Sequence, residues 1–375
     1  MYEHIEDILV HDSKIAIKLK DPQWMDIAGN VVQDENLAFG CKVEIQVTRP
    51  DMAIVFDEAG CNTSQEYNNA KEGGKFITGV EDQAYVSCAK KHNHFTCPGV
   101  TTLEGLPLMC VIIISSKRAE IAIGEGIDWD QIDINETYSI HEGEEFEFLK
   151  KHKGKGKIFP GGPECNYKGT TIPALIAFTE SGGINGTILT AIFKRLDDLV
   201  IYNADRRKWM IPFALVDSHQ SRFDLDFLKY INDAATKWNV CICVPYGTAL
   251  WQVGNSNQQN GCFKILLTQK KKEMYQKCLN TFQQNIHLTR TDIVPLVNVT
   301  WHQAFGDIEG NCKAMTERGW GPFNKNLLLH PLIRSNMTET MMANEARRGI
   351  FPRRVIKDNA NSVQDINDNG NLSIN

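Results

Sequence analysis

Apolar residues in this chain fall into short continuous runs and into stripes of every fourth position. The run Phe213-Ala214-Leu215-Val216, closed by Asp217, has the length and polar boundaries of a buried strand. Phe223, Phe227 and Ile231 follow at four-residue intervals and predict one face of a helix. Residues 240–244 form a second apolar run that ends in the turn-forming Pro245-Tyr246-Gly247. Strand, helix and strand with a short return predict a βαβ unit with a right-handed crossover. The run over residues 52–56 predicts another strand, ending at Asp57-Glu58-Ala59-Gly60. Residues 75–80, 84–88, 95–100 and 106–116 read as an antiparallel meander, and the nearly unbroken apolar stretch 108–114 places its last strand at the sheet centre.

Helical stripes complete the pattern. Ile184, Ile188, Ile192 and Leu196 predict a core-facing helix before the Asp217 strand. A long amphipathic helix is expected after Lys264, and residues 285–335, with Trp301, Phe305 and Trp320, predict a helical cap holding buried aromatics. Four regions emerge: an N-terminal extension (1–48), an α/β domain (49–280) with an insertion at about 117–172, a C-terminal helical extension (281–357), and an Asn- and Asp-rich tail (358–375) whose composition predicts disorder.

Composition narrows the function classes. The chain has 375 residues and a net charge of -6, which argues against wholesale polyanion binding but leaves room for a local basic groove. No apolar run has bilayer-spanning length, and the acidic N-terminus lacks the layout of a secretory signal, so a nuclear or cytoplasmic site is expected and secretion is not. The eleven scattered cysteines fit reduced thiols.

Candidate chemistry lies at the strand ends. An acid at the C-terminal end of a buried strand points into the crevice where α/β sheets place ligands. Asp57 and Asp217 both occupy such positions, although an acid after a strand also serves as a turn or cap residue. Cys88, His92, His94 and Cys97 offer four zinc-type ligands within ten residues, in a spacing that equally suits a polar hairpin tip. The run from Lys150 to Lys157 beside an acidic patch reads as a solvated loop or a phosphate contact. Lys264, Lys270, Lys271 and Lys272 on the long helix form either a nucleic-acid contact or a solvated face.

Phe56-Asp57-Glu58-Ala59-Gly60, Leu215-Val216-Asp217-Ser218-His219 and Pro245-Tyr-Gly-Thr248-Ala-Leu-Trp-Gln252-Val-Gly-Asn255 together resemble the DDE superfamily endonucleases, the pogo/Tigger/jerky-like transposases and their domesticated relatives. The resemblance runs from about residue 50 to about 335 and is most specific between Asp217 and Lys264. It implies an RNase H-like mixed sheet flanked by helices, with a C-terminal helical extension. It further implies Mg²⁺ or Mn²⁺ in a two-metal site held by Asp57, Asp217 and the third position, Asn255. DNA is the implied partner, no membrane is implied, and a homodimer is the assembly to test. Two such ions suit carboxylate oxygens and phosphodiester cleavage or strand transfer.

The third position departs from the family, because an amide brings no negative charge and accepts no proton near neutral pH. Residues 256–263 contain no acid to replace it, and Asn255 or Ser256 equally suits a helix N-cap. The first 48 residues also lack a helix-turn-helix pattern, whereas the family's proteins carry an N-terminal DNA-binding module. Both departures fit a truncated or decayed copy whose cleavage is weakened, or a domesticated non-catalytic DNA- or protein-binding module. On the first reading, Asn255→Asp raises Mg²⁺-dependent nicking of plasmid DNA. Equal, negligible nicking by both forms with equal metal binding overturns it.

Overall fold

The computed structural model describes residues 2–24, 33, 42–63, 94–116, 119–123, 130–132, 135–149, 157–199, 209–243, 251–280, 288 and 292–324. The expected strands 75–80 and 84–88, the lysines at 150, 151, 153 and 155, the motif segment 245–250 and the tail 358–375 lie outside the described residues. After helix α1 (Tyr2–Asp7), a hairpin of β1 (Ala16–Trp24) and β2 (Lys42–Val47) precedes the main sheet. The order then runs β3 (Ala53–Asn62), β4 (His94–Thr102), β5 (Pro107–Ser115), β6 (Ala119–Ile123), β7 (Asp130–Ile132), β8 (Thr137–Ile140), β9 (Glu145–Leu149), β10 (Lys157–Pro160), β11 (Cys165–Tyr167), β12 (Thr170–Ile172) and β13 (Ala174–Thr179). Helix α2 (Gly186–Asp197), β14 (Phe213–Val216), α3 (Leu225–Asn232), β15 (Asn239–Ile242), α4 (Cys262–Asn280), α5 (Ile293–Phe305) and α6 (Ile308–Glu317) complete it.

The result is a mixed α/β fold on a seven-stranded sheet of order β15-β14-β3-β4-β5-β13-β8. β4 runs antiparallel to both β3 and β5; β14 is parallel to β3, β15 to β14, and β13 to β5. The expected insertion contributes β8 to the edge of this sheet and, separately, the four-stranded sheet β10-β9-β6-β7. β5 is buried from Leu108 to Ile114, as its unbroken apolar run requires.

Two successive crossovers, β13–α2–β14 and β14–α3–β15, step the same way across the sheet. With the usual right-handed connection both helices lie on one face. Their contact is aromatic: the Phe193 ring meets those of Phe227 and Trp238 edge-on, with centroids 5.1 and 5.0 Å away. Asp197 ties the same elements together, accepting from Tyr230 Oη and Trp238 Nε1. The stripe Ile188, Ile192 and Leu196 is buried as expected. Phe223 is not part of its expected stripe: it is exposed in a short 3-10 turn, and α3 begins only after Asp224, whose carboxylate accepts from the Asp226 and Phe227 amides.

The opposite face carries α5. Side chains alternate across a strand, so Asp57 on β3, Gly99 on β4 and Cys110 on β5, which lie opposite one another, share this face. A Cβ at Gly99 would stand 2.2 Å from the Phe305 ring, which shows how closely α5 lies on the sheet. Gly99→Ala therefore has to displace a buried aromatic ring, at a cost of about 1–3 kcal/mol. Urea unfolding monitored by tryptophan fluorescence checks this, and an unchanged midpoint would contradict the packing.

Candidate metal centre

β3 extends six residues beyond the run expected to end it, because β4 pairs with it as far as Asn62. Asp57 and Glu58 are therefore mid-strand residues rather than strand-end residues. β14 stops at Val216, opposite Phe56, and Asp217 follows at once. The shorter strand leaves a notch beside β3 at the level of Asp57 and Glu58, and Asp217 sits at its mouth. One carboxylate oxygen from each of Asp57, Glu58 and Asp217 lies within 4.8 Å of the others.

Consecutive residues of a strand point to opposite faces, so the acids draw on different supporting layers. Glu58 faces the α2–α3 layer and meets Arg222. That guanidinium is fully buried; its Nη2 stands 2.5 Å from Glu58 Oε1 and 2.6 Å from Asp217 Oδ1, and Nη1 donates to Ser221 Oγ at 2.6 Å. The contact with Asp217 is one of opposite charges, set at an angle that makes no hydrogen bond. The guanidinium also lies 5.0 Å from the Phe56 ring centroid, on the same face of β3 as Glu58. The sequence reading missed Arg222, which looks like an ordinary charge in a polar turn, and passed over Glu58.

Asp57 faces the other layer. Its Oδ1 accepts from Gln252 Nε2 at 2.8 Å and its Oδ2 from Asn260 Nδ2 at 2.9 Å. Gly254 lies against the same side chain, where any Cβ would stand 2.1 Å from that of Asp57. The turn that delivers these groups is set by Ser256, whose hydroxyl caps the Gln259 amide at 3.1 Å and starts the helical residues leading into α4. Asn260 is buried, and its Oδ1 has no hydrogen-bond partner among the described residues.

Asn255, the expected third position, is exposed. Its Nδ2 donates to Gln252 Oε1 at 2.5 Å, so it reaches Asp57 through Gln252. The four lysines of α4 separate by environment. Lys264 and Lys272 are exposed, and Lys270 pairs with Glu273 at 2.8 Å. Lys271 continues the buried stripe of Phe263 and Leu267; its stem is packed and its ammonium donates to the Asn62 carbonyl at the end of β3. Of the zinc-type residues, Cys88 and His92 lie outside the described residues, while His94 and Cys97 alternate onto opposite faces of β4 and do not share an ion.

Burial pushes the Asp57 carboxyl well above its usual range, and the nearby Glu58 and Asp217 charges add to the effect. Burial and Asp217 likewise push Glu58 up to about 7, against the pull of Arg222. Burial lowers His219, with help from Arg222, and its Nδ1 is taken up by Ser221. Three crowded carboxylate oxygens are hard donors and, once ionised, carry more negative charge than one arginine balances, so the set could hold a Mg²⁺- or Mn²⁺-type cation. Comparison with protein-family models, curated proteins and solved structures finds no match for this chain.

The raised Glu58 value fixes a pH dependence. The folded chain keeps a proton that the unfolded chain, at 4.5, has already released, so stability from this group is full below 4.5 and is lost as the pH rises through about 7. Asp57 acts with the same sign. Denaturant unfolding without metal is expected to show stability falling from about pH 5 to about pH 8, and Glu58→Gln to flatten that slope. A wild-type profile that rises across this interval contradicts the assignment.

Proposed function

We propose that this chain is a transposase-derived endonuclease domain: an RNase H-like scaffold that binds nucleic acid and retains, in weakened form, metal-dependent phosphodiester cleavage. The observation that carries the reading is the meeting of Asp57, Glu58 and Asp217 across two adjacent parallel strands. The sheet supports it, since three consecutive antiparallel strands, β3 to β5, are flanked on the β3 side by the parallel pair β14 and β15.

Asp57, Glu58 and Asp217 hold the cation, which when bound polarises a phosphoryl oxygen and acidifies a water molecule. Gln252 and Asn260 fix the Asp57 carboxylate, and Asn255 steadies Gln252. Arg222 locks Glu58 and Asp217 in place. Lys264 and Lys272, on the exposed side of α4, contribute charge toward a phosphate backbone. Cleavage is weak because one arginine already occupies oxygens of two acids.

Arg222 also favours a second reading, a non-catalytic DNA- or protein-binding module on the same scaffold, since it neutralises part of the acidic cluster without any ion. Calorimetric titration with Mn²⁺ and a plasmid-nicking assay separate the two. The nuclease reading expects Mn²⁺ binding that Asp217→Ala weakens about tenfold or more, together with slow Mn²⁺-dependent nicking. Absence of binding in the wild type, with unchanged stability of Asp217→Ala, leaves the module reading in its place.

A further inference from the structure

The same centre shows how many cations it is built for and which further group completes it. This step rests on the proposed metal-binding reading. Arg222 is more than a neighbour of the acids: it has no exposed surface and is fixed by Glu58, Asp217, Ser221 and the Phe56 ring. A second ion that took Glu58 and Asp217 from it would leave the guanidinium buried without its charge partners, which is costly. With all three carboxylates ionised, as coordination of a cation requires, one guanidinium leaves two negative charges, the complement of one divalent cation.

The independent sign of a ligand is Asn260. It is 2% exposed and its Oδ1 is unpartnered among the described residues, although buried carbonyl oxygens are normally paired. Its amide nitrogen is 2.9 Å from Asp57 Oδ2, so the orphaned oxygen belongs to a group already seated against the cluster. Rotation about the terminal torsion exchanges nitrogen and oxygen without moving the backbone. The side chain can thus donate to a bare Asp57 carboxylate or offer oxygen to a cation held there. Asn255 is placed differently: it is exposed, and its Nδ2 donates to Gln252 Oε1 rather than to an acid of the cluster.

We infer that the centre takes a single divalent cation, with Asp57, Glu58, Asp217 and the amide oxygen of Asn260 as its ligands, and with the Arg222 guanidinium as the fixed second positive charge. Asn260, rather than Asn255, is then the amide that meets the metal.

Titration of the full chain with Mn²⁺, followed by calorimetry and by the electron paramagnetic resonance of free Mn²⁺, gives the stoichiometry and needs no variant. About one ion per chain is expected. Asn260→Ala is expected to weaken affinity about tenfold or more, Asn255→Ala to change it less, and Asn260→Asp to tighten it. Circular dichroism and thermal melts establish that each variant is folded. Two ions per chain, or unaltered affinity in folded Asn260→Ala and Asn260→Asp, overturn this inference and leave the metal-binding reading standing. Failure of the wild type to bind Mn²⁺ overturns both.

Discussion

A fully buried arginine between two carboxylates is the constraint on which the centre depends. Arg222 comes from a 3-10 turn, Glu58 from the middle of β3 and Asp217 from the residue after β14. A guanidinium buried as fully as that of Arg222 gives up several kcal/mol of hydration, which the charges of Glu58 and Asp217 offset. Together they fix the turn after β14 against the sheet. The turn in turn sets where α3 begins, since the Asp224 cap follows Arg222 by two residues. The geometry of the notch and the packing of the α2–α3 layer are therefore one problem with one solution.

Alternation along β3 explains how a small cluster can be built from two layers. Phe56 and Glu58 face the arginine, whereas Asp57 faces the amides delivered by the turn before α4. Asp217 lies at the strand end, where the sheet no longer separates the two sides. A shift of one residue in the β3–β4 register would exchange these faces, bringing Asp57 to Arg222 and Glu58 to Asn260. The close approach of Gly99 to Phe305 and of Gly254 to Asp57 opposes such a shift, since both depend on a missing Cβ at one register position.

Much of this fold is legible in the chain because burial writes a simple code. The runs at 213–216 and 108–114 are strands, and the stripe of Ile188, Ile192 and Leu196 is a buried helix face. The errors have physical causes. The polar Asp57 and Glu58 looked like the end of a strand, yet β4 supplies backbone partners to Asn62 whatever the side chains are. Phe223 fitted the helical period, but the Asp224 cap starts the helix after it. Lys271 looked like part of a basic face; its long stem instead completes an apolar stripe. Asp57 and Asp217 were found because acids after apolar runs stand out. Glu58, Arg222 and Asn260 were not, because ion pairs between residues 164 apart and an orphaned amide oxygen leave no local trace.

The centre keeps an internal cation, Arg222, beside acids that could hold an external one. Arginine stays charged at any accessible pH, so its two carboxylates are held as partners whether or not metal is present. Asp57 has no such partner; burial and its acidic neighbours favour its protonated form until another positive charge arrives. On the proposed reading a divalent ion would supply that charge, so metal and proton would compete at Asp57 and at Glu58, which burial also pushes up, while Arg222 keeps Glu58 and Asp217 together. The notch is thus preformed at one side by an ion pair and left responsive at the other. On the proposed reading, a centre divided in this way would take a metal without having to fold around it, because the ion pair already holds two of the three acids in place.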